Sequence, residues 1–371
     1  MIVAADELVA TGGPGWVRTD GDRIVAVEPG TPPTADAHHP VVVPGFVDVH
    51  VHGGAGAAFP GGDAGEALRA VAFHRAHGTT TTLASLVAAA PEELRRSVDV
   101  LAELVVDGEI AGVHLEGPWL AAARCGAHDP AQLRDPDPDE LDKLLATGVV
   151  AMVTLAPERD GALDAIRRVA GAGAVAAVGH TDADFALTRA AIEAGARHGT
   201  HLFNAMRPLH HREPGPAVAL LDDDRVTVEL ITDGLHVHPA LWELAVRAAG
   251  PQRVAAVTDA MAATGMPDGV FRLGHLDVEV VDRVARLAGG GAIAGSTATA
   301  DAIFRNIVRH AAVARPEALR RAVAMTATTP ARALGLTDVG ELAVGRRADL
   351  VGLSADLAVE AVYRAGVLVR E

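Results

Sequence analysis

The chain has a single cysteine, Cys125, among 371 residues, which excludes an internal disulfide framework. It has no apolar run long enough to cross a bilayer, although 49% of its residues are hydrophobic, so a soluble globular protein is expected. Its first ten residues lack a basic start and a long apolar stretch; no secretory signal is expected, and the cytoplasm is the expected compartment. No cluster of lysine and arginine stands out, and 32 basic against 48 acidic residues leave a formal charge of −16. Nucleic acid and membrane surfaces are therefore poor partners, whereas a few convergent Arg and His can still hold an anionic small molecule. Aromatic residues are scarce at 3% and carry no functional signal. No early strand is followed by a GxGxxG turn, which argues against a doubly wound dinucleotide fold.

Histidine is what the chain has in excess: 17 residues, many at the ends of apolar runs. The organising stretch is VDVHVHGG at 47–54. Read as a strand, it sends His50 and His52 to the same side, about 6 to 7 Å apart along the backbone, within reach of one metal ion. Pro44-Gly45 precedes the strand and Gly53-Gly54 ends it, so the imidazoles fall at a strand's C-terminal end, where parallel α/β folds place their chemistry.

Seven further strand-like runs follow, at 79–86, 110–116, 149–155, 174–180, 198–204, 226–233 and 254–259, with helix candidates at 66–77, 92–106, 139–146, 162–170, 185–194 and 239–249. Eight β/α units predict an α/β fold of the TIM-type (β/α)8 barrel class, with a doubly wound open sheet as runner-up. The barrel is expected over 44–335, with an inserted β-hairpin near 270–294 and closing helices at 300–312 and 316–327. Residues 1–43 and 336–371 hold short strand candidates, neither set able to bury a core alone. Together they are expected to form a small β-sandwich.

In a barrel, the strand ends converge on one mouth. Glu116, His180 and His201 all fall there and offer one carboxylate and two imidazoles, a set that suits zinc or ferrous iron and leaves a position for water. His50 and His52 can hold a second ion with Glu116 bridging, giving one or two divalent metals per chain: zinc first, with iron, manganese and cobalt as alternatives. Asp259 can take a proton from water whose pKa a metal lowers toward about 7 and return it to a leaving group; it can also cap a helix starting at Ala260. Arg212 and His236 are candidate phosphate binders, and Asn204 with the Ala205 backbone can hold ligand oxygens. For Arg212 the alternative is a surface ion pair with Glu213 or Asp222. His236 and His238 repeat the H-x-H spacing, a lesser metal candidate because a loop enters a helix there.

The chain also resembles the amidohydrolase superfamily, and within it the branch that deacetylates amino-sugar phosphates. The resemblance runs almost end to end: PGFVDVHVHGG at 44–54, HLEGPWL at 114–120, GAH at 126–128, GHTDA at 179–183, THLFNAM at 200–206, REPG at 212–215, DGLHV at 233–237, TDAM at 258–261 and AGS at 294–296. Related cyclic-amide hydrolases share the H-x-H strand but usually carry a metal-bridging lysine, which has no place here. The resemblance implies a metal on Glu116, His180 and His201, Asp259 as general base and then acid, and His128 polarising an acetamide carbonyl. It implies sugar and phosphate contacts at Ala127, Asn204, Ala205, Arg212, His236 and the backbone of Ile293, Ala294 and Gly295.

The implied reaction is hydrolysis of the N-acetyl group of N-acetylglucosamine 6-phosphate to glucosamine 6-phosphate and acetate, in amino-sugar catabolism and cell-wall recycling. Another N-acyl amino-sugar phosphate or a cyclic amide is the alternative substrate. A non-catalytic sugar-phosphate sensor ranks last, since binding alone needs no general base at Asp259. A homodimer is implied as well, with His236 reaching the neighbouring active site. Members of the branch vary at the first-strand pair, and this chain keeps both histidines. Arg124-Cys125 precedes Gly126 where lysine is common, placing a thiol on the loop expected to cover the substrate; it either meets the metal in an open state or is inert, the ordinary behaviour of a lone cysteine.

Overall fold

The computed structural model describes residues 1–370. The chain opens with β1 (Ile2–Leu8), β2 (Gly13–Asp20), β3 (Arg23–Pro29) and β4 (Ala37–Pro44). The barrel begins at β5 (Phe46–Asp48), followed by a two-residue pair, β6 (Gly53–Gly54) and β7 (Ala57–Ala58). It continues with β8 (Thr79–Leu86), β9 (Gly112–Glu116), β10 (Val150–Leu155) and β11 (Val175–Val178). It ends with β12 (His198–Gly199), β13 (Thr227–Ile231) and β14 (Val254–Val257). Three antiparallel strands follow, β15 (Gly269–Leu273), β16 (Leu276–Val281) and β17 (Val284–Leu287), and the chain closes with β18 (Leu350–Leu353), β19 (Val359–Arg364) and β20 (Val367–Arg370).

The eight barrel strands hydrogen-bond in the order β5-β8-β9-β10-β11-β12-β13-β14, each parallel to its neighbour. Buried on both faces, they read as near-continuous apolar runs such as VAAV in β11 and β14, the mark of parallel sheets covered by helices. The last strand meets the first just beyond their regular ends. The Asp259 N–H donates to the His50 carbonyl at 2.9 Å, Val51 bridges Ala260, and the Thr258 hydroxyl donates to buried Asp48 at 2.6 Å. Inside the barrel Val47, Val49, Leu83, Met152, Ala177, Ile231 and Val257 pack into one core. The seam is thus closed by hydrogen bonds at the mouth.

The outer helices start where their sequences say they should. Asp63, Asp137 and Asp184 cap Ala64–Ala76, Pro138–Leu145 and Phe185–Ala194, each accepting a backbone N–H three residues on. Pro91, Pro138 and Pro239 sit at first helical positions, where a missing N–H costs nothing. No described helix is long and apolar enough to cross a membrane.

Strands from both termini assemble into a separate sheet of order β20-β19-β18-β4-β1-β2-β3. It curls back on itself: Ile24 of β3 exchanges backbone hydrogen bonds with Gly345 and Arg346, in the segment leading to β18. Leu8, Val17, Ile24, Val42, Leu350 and Tyr363 are enclosed between its layers.

Two local expectations are corrected, and one helix was not foreseen. The insertion is a three-stranded meander rather than a hairpin, with Gly289-Gly290-Gly291 turning the chain from β17 back to Ile293, which bridges Arg286. The run 198–204 is strand only to Gly199, because His201, Phe203 and Ala205 adopt left-handed φ of 26°, 76° and 48°. A further helix, Gly215–Asp222, lies between β12 and β13; its sequence GPAVALLD is apolar almost all round and carries no amphipathic period to reveal it.

Candidate metal centre and active site

Six side chains from five strand ends meet at the barrel mouth. His50 and His52 follow β5, Glu116 ends β9, His180 follows β11, His201 follows β12 and Asp259 follows β14. His180, His201 and Asp259 all take left-handed φ, at 47°, 26° and 50°, a backbone strain held in place by surrounding packing and typical of functional turns. Gly179 lets the turn before His180 close, since a Cβ there would lie 2.6 Å from the Thr200 Cβ.

The six fall into two groups of three whose ligating atoms lie within 4.8 Å of one another: Glu116, His180 and His201, then His50, His52 and Asp259. The Nε2 atoms of His180 and His201 stand 2.9 Å apart, and each is 3.0 Å from Glu116 Oε1. His50 and His52 face each other through Nε2 at 3.2 Å, with Asp259 Oδ1 at 3.6 and 3.3 Å. The Glu116 carboxylate also reaches the second group, at 3.4 Å from His50 and 3.2 Å from His52, and so stands between them.

Partners on the far side of the rings fix their tautomers. His50 donates from Nδ1 to Glu229 at 2.9 Å, His52 from Nδ1 to the Ser85 carbonyl at 3.2 Å, and His180 from Nδ1 to the Arg124 carbonyl at 2.9 Å. In each ring Nε2 is then the nitrogen that faces the cluster. His128 is set the other way. Its Nδ1 accepts the Ala88 N–H at 3.2 Å, so Nε2 carries the proton and points at Glu116 Oε2, 3.2 Å away.

Electrostatics explain what such a cluster can hold. Burial pushes His50 and His52 toward neutrality, yet Glu116, Asp259 and, for His50, Glu229 win: His50 is held well above its ordinary pKa and His52 rises to about 9. Burial dominates at His180, which falls to about 4. Burial also raises Asp259, but the charge of His50 and the hydrogen bond from His52 bring it below the usual carboxylate range. The carboxylates thus call for positive charge at their centre, and inward-facing imidazole lone pairs beside them fit a divalent cation.

A cavity of about 360 Å³ opens on this cluster. It is lined by Ala127, His128, Asn204, Ala205, His236, Ile293 and Gly295, and also by Arg124 and Leu273. Ala294, expected beside them, is buried behind the wall, its N–H donating to Ala285. His236 lines its own chain's cavity and donates from Nδ1 to Asp233 at 2.7 Å. Arg212 does not line it: the side chain is exposed and donates to His211 Nε2 at 2.8 Å. His238 caps the helix Pro239–Ala249, accepting the Ala240 N–H. The chain's single lysine, Lys143, is exposed on an outer helix, so no lysine bridges the ligands. Cys125 is half-buried on the loop between Arg124 and Gly126 and is not among the lining residues.

Sequence reasoning missed the groups behind the ligands. His114 is held neutral by burial, with Nδ1 at 3.0 Å from Ser85 Oγ and Nε2 at 2.9 Å from Thr154 Oγ1, and its ring meets His50 edge-on at 4.6 Å. Glu229, fully buried in β13, holds His50, His198 and the backbone of His201. His114 opens the HLEGPWL stretch but was assigned no role, and no motif flags Glu229, whose only signal was an acid inside an apolar strand.

A (β/α)8 barrel with this ligand set at its mouth defines a class, and the sequence bears it out: residues 41–369 match the amidohydrolase family, to which the chain belongs. Within it, the chain is similar to the N-acetyl-D-glucosamine-6-phosphate deacetylase of Mycobacterium smegmatis. A mutant of that protein, solved in complex with N-acetyl-D-glucosamine-6-phosphate, superposes with a TM-score of 0.98 at 56% identity over 100% of this chain and 99% of the other. N-acetylgalactosamine-6-phosphate deacetylase of Escherichia coli O157:H7 is 38% identical over 93% of this chain and 92% of its own length. N-acetylglucosamine-6-phosphate deacetylase of Vibrio furnissii is 37% identical over 88% and 82%.

Proposed function

We propose that this chain hydrolyses the N-acetyl group of N-acetylglucosamine 6-phosphate, giving glucosamine 6-phosphate and acetate, with two divalent ions, zinc first among them. The observation that carries the reading is the pairing of a carboxylate, Asp259, with a proton-bearing His128 Nε2 across one cavity whose floor is a metal-ligand cluster. Glu116, His180 and His201 would hold one ion, and His50, His52 and Asp259 the other. Ions bound there supply Lewis acidity, lowering the pKa of water and polarising the acetamide carbonyl.

Asp259 takes a proton from water as its oxygen adds to the acetamide carbon, while His128 donates from Nε2 to the carbonyl oxygen. The proton on Asp259 then passes to the amide nitrogen, the C–N bond breaks, and acetate and the free amine leave. Asn204, the Ala205 backbone, His236, Ala127 and the Ile293 to Gly295 backbone hold the sugar and its phosphate. The proposed assembly is a homodimer in which His236 reaches the neighbouring active site, with Arg212 as a further phosphate contact. The setting is amino-sugar metabolism in the cytoplasm.

The relative named N-acetylgalactosamine-6-phosphate deacetylase, at 38% identity, favours a second reading, the C4 epimer as substrate. One assay separates the two: metal-stripped protein receives zinc, iron, manganese or cobalt singly, and amine release is followed from both 6-phosphates. Metal-dependent turnover of the glucosamine derivative is the expected result; turnover of the galactosamine derivative alone would replace the substrate, and none of either would refute the deacetylase reading.

A further inference from the structure

We propose that Glu229 is a positioning residue that ties the two halves of the metal centre together, and that its negative charge sets the metal affinity of the His50, His52 and Asp259 half. The proposal deepens the two-ion reading above and does not depend on the substrate.

Glu229 lies in the middle of β13, in the run TVELI, with no exposed surface. A buried carboxylate persists only where donors surround it, and here three do. Oε2 accepts both the His50 Nδ1–H and the His201 backbone N–H, each at 2.9 Å, while Oε1 accepts from His198 Nε2 at 3.0 Å. The Glu229 carbonyl takes the next N–H, that of Leu202, at 2.9 Å. One residue therefore orients His50, a ligand of one half, through its ring and pins the left-handed turn that presents His201, a ligand of the other. It is absent from the cavity lining, so substrate does not meet it.

The halves differ in what stands behind their imidazoles. His52 and His180 donate to neutral carbonyls, Ser85 and Arg124, whereas His50 donates to a full negative charge. A carboxylate behind a ligating imidazole raises the basicity of the nitrogen that faces the metal, and removing it typically weakens metal binding about 10- to 100-fold.

Glu229→Gln separates charge from geometry. The amide oxygen can still accept from His50 and His201, and its NH2 faces His198, whose Nδ1 has no partner and whose ring can change tautomer. The experiment titrates the full-length, chelator-stripped chain with Zn²⁺ against a chromogenic chelator, alongside thermal unfolding. Wild type is expected to take two equivalents. E229Q is expected to bind one as before and the other about 10- to 100-fold more weakly, with cooperative unfolding retained. The proposal is overturned if E229Q binds both equivalents like wild type, weakens both alike, or fails to fold, or if wild type takes only one. Because turnover is not read, a wrong substrate assignment would leave this result standing.

Discussion

At the N-terminal end of the barrel, Arg75 donates to Glu109 at 2.7 Å, Arg347 donates to Asp349 at 2.9 Å, and Arg364 donates to the carbonyls of Thr80 and Gly108. At the C-terminal end, four imidazoles and two carboxylates face one another instead, with like atoms as close as the two Nε2 of His180 and His201. The base closes its charges inside the protein, whereas the mouth leaves its lone pairs pointed at a common centre. That difference is the physical content of placing chemistry at one end of a barrel and stability at the other. Substitutions at the two ends should therefore separate turnover from stability.

The largest effect is expected at the mouth. Asp259→Asn removes the only proposed proton acceptor while keeping a similar shape, and should lower kcat about 10³- to 10⁴-fold. The measurement is steady-state amine release together with metal analysis and melting temperature; near-normal turnover would remove Asp259 from its role. His128→Gln should follow, with a loss of about 10²- to 10³-fold in kcat and little change in KM, because its Nε2–H meets charge that develops only as the carbonyl is attacked. A KM effect alone would make His128 a binding group.

At the base the signs reverse. Asp349 accepts from Arg347 and from the Ala365 N–H at 2.9 Å, and its side chain is almost fully buried. Asp349→Ala leaves the Ala365 N–H without its acceptor and Arg347 with only the Thr81 hydroxyl, at 2.7 Å, and the Thr80 carbonyl, and should cost about 1 to 3 kcal/mol by chemical denaturation, with kcat near wild type for the folded fraction. An equal loss of kcat would mean that the two ends are coupled and that the contrast between them is false.

The sequence made the mouth far more legible than its supports. Buried parallel strands announce themselves as valine- and alanine-rich runs, and histidines or carboxylates at five of the eight strand ends were enough to bring together Glu116, His180, His201, His50, His52 and Asp259. Turn geometry was hidden: side-chain alternation continues through 198–204 although left-handed residues stop the strand at Gly199. Glu229 itself, and the supporting role of His114, were invisible for another reason. Their partners come from distant segments, Glu229 lying 179 positions from His50, and one-dimensional spacing cannot show a hydrogen bond closed across a barrel. Arg212 is the opposite case, a motif residue that stands out in the sequence and that the single chain leaves exposed outside the cavity.

The smallest effect tests the base through pH. Glu109 is held below the ordinary carboxylate range first by its hydrogen bond from Arg75, which outweighs the opposing effect of burial. Its folded pKa therefore lies below the unfolded value of about 4.3, so the ion pair stabilises the fold above that pH and loses its contribution as pH falls through the folded value. Glu109→Gln should lower stability by up to about 1 kcal/mol at pH 7, the range of partly exposed ion pairs. The difference from wild type should shrink toward zero as the pH drops below the carboxylate range. Thermal melts of both proteins across pH 3 to 7 read it directly. A gap that persists at the acid end would mean that Glu109 contributes by packing rather than by charge. The base would then owe its order to shape, and its contrast with the mouth would lie in how tightly each is filled rather than in how each balances charge.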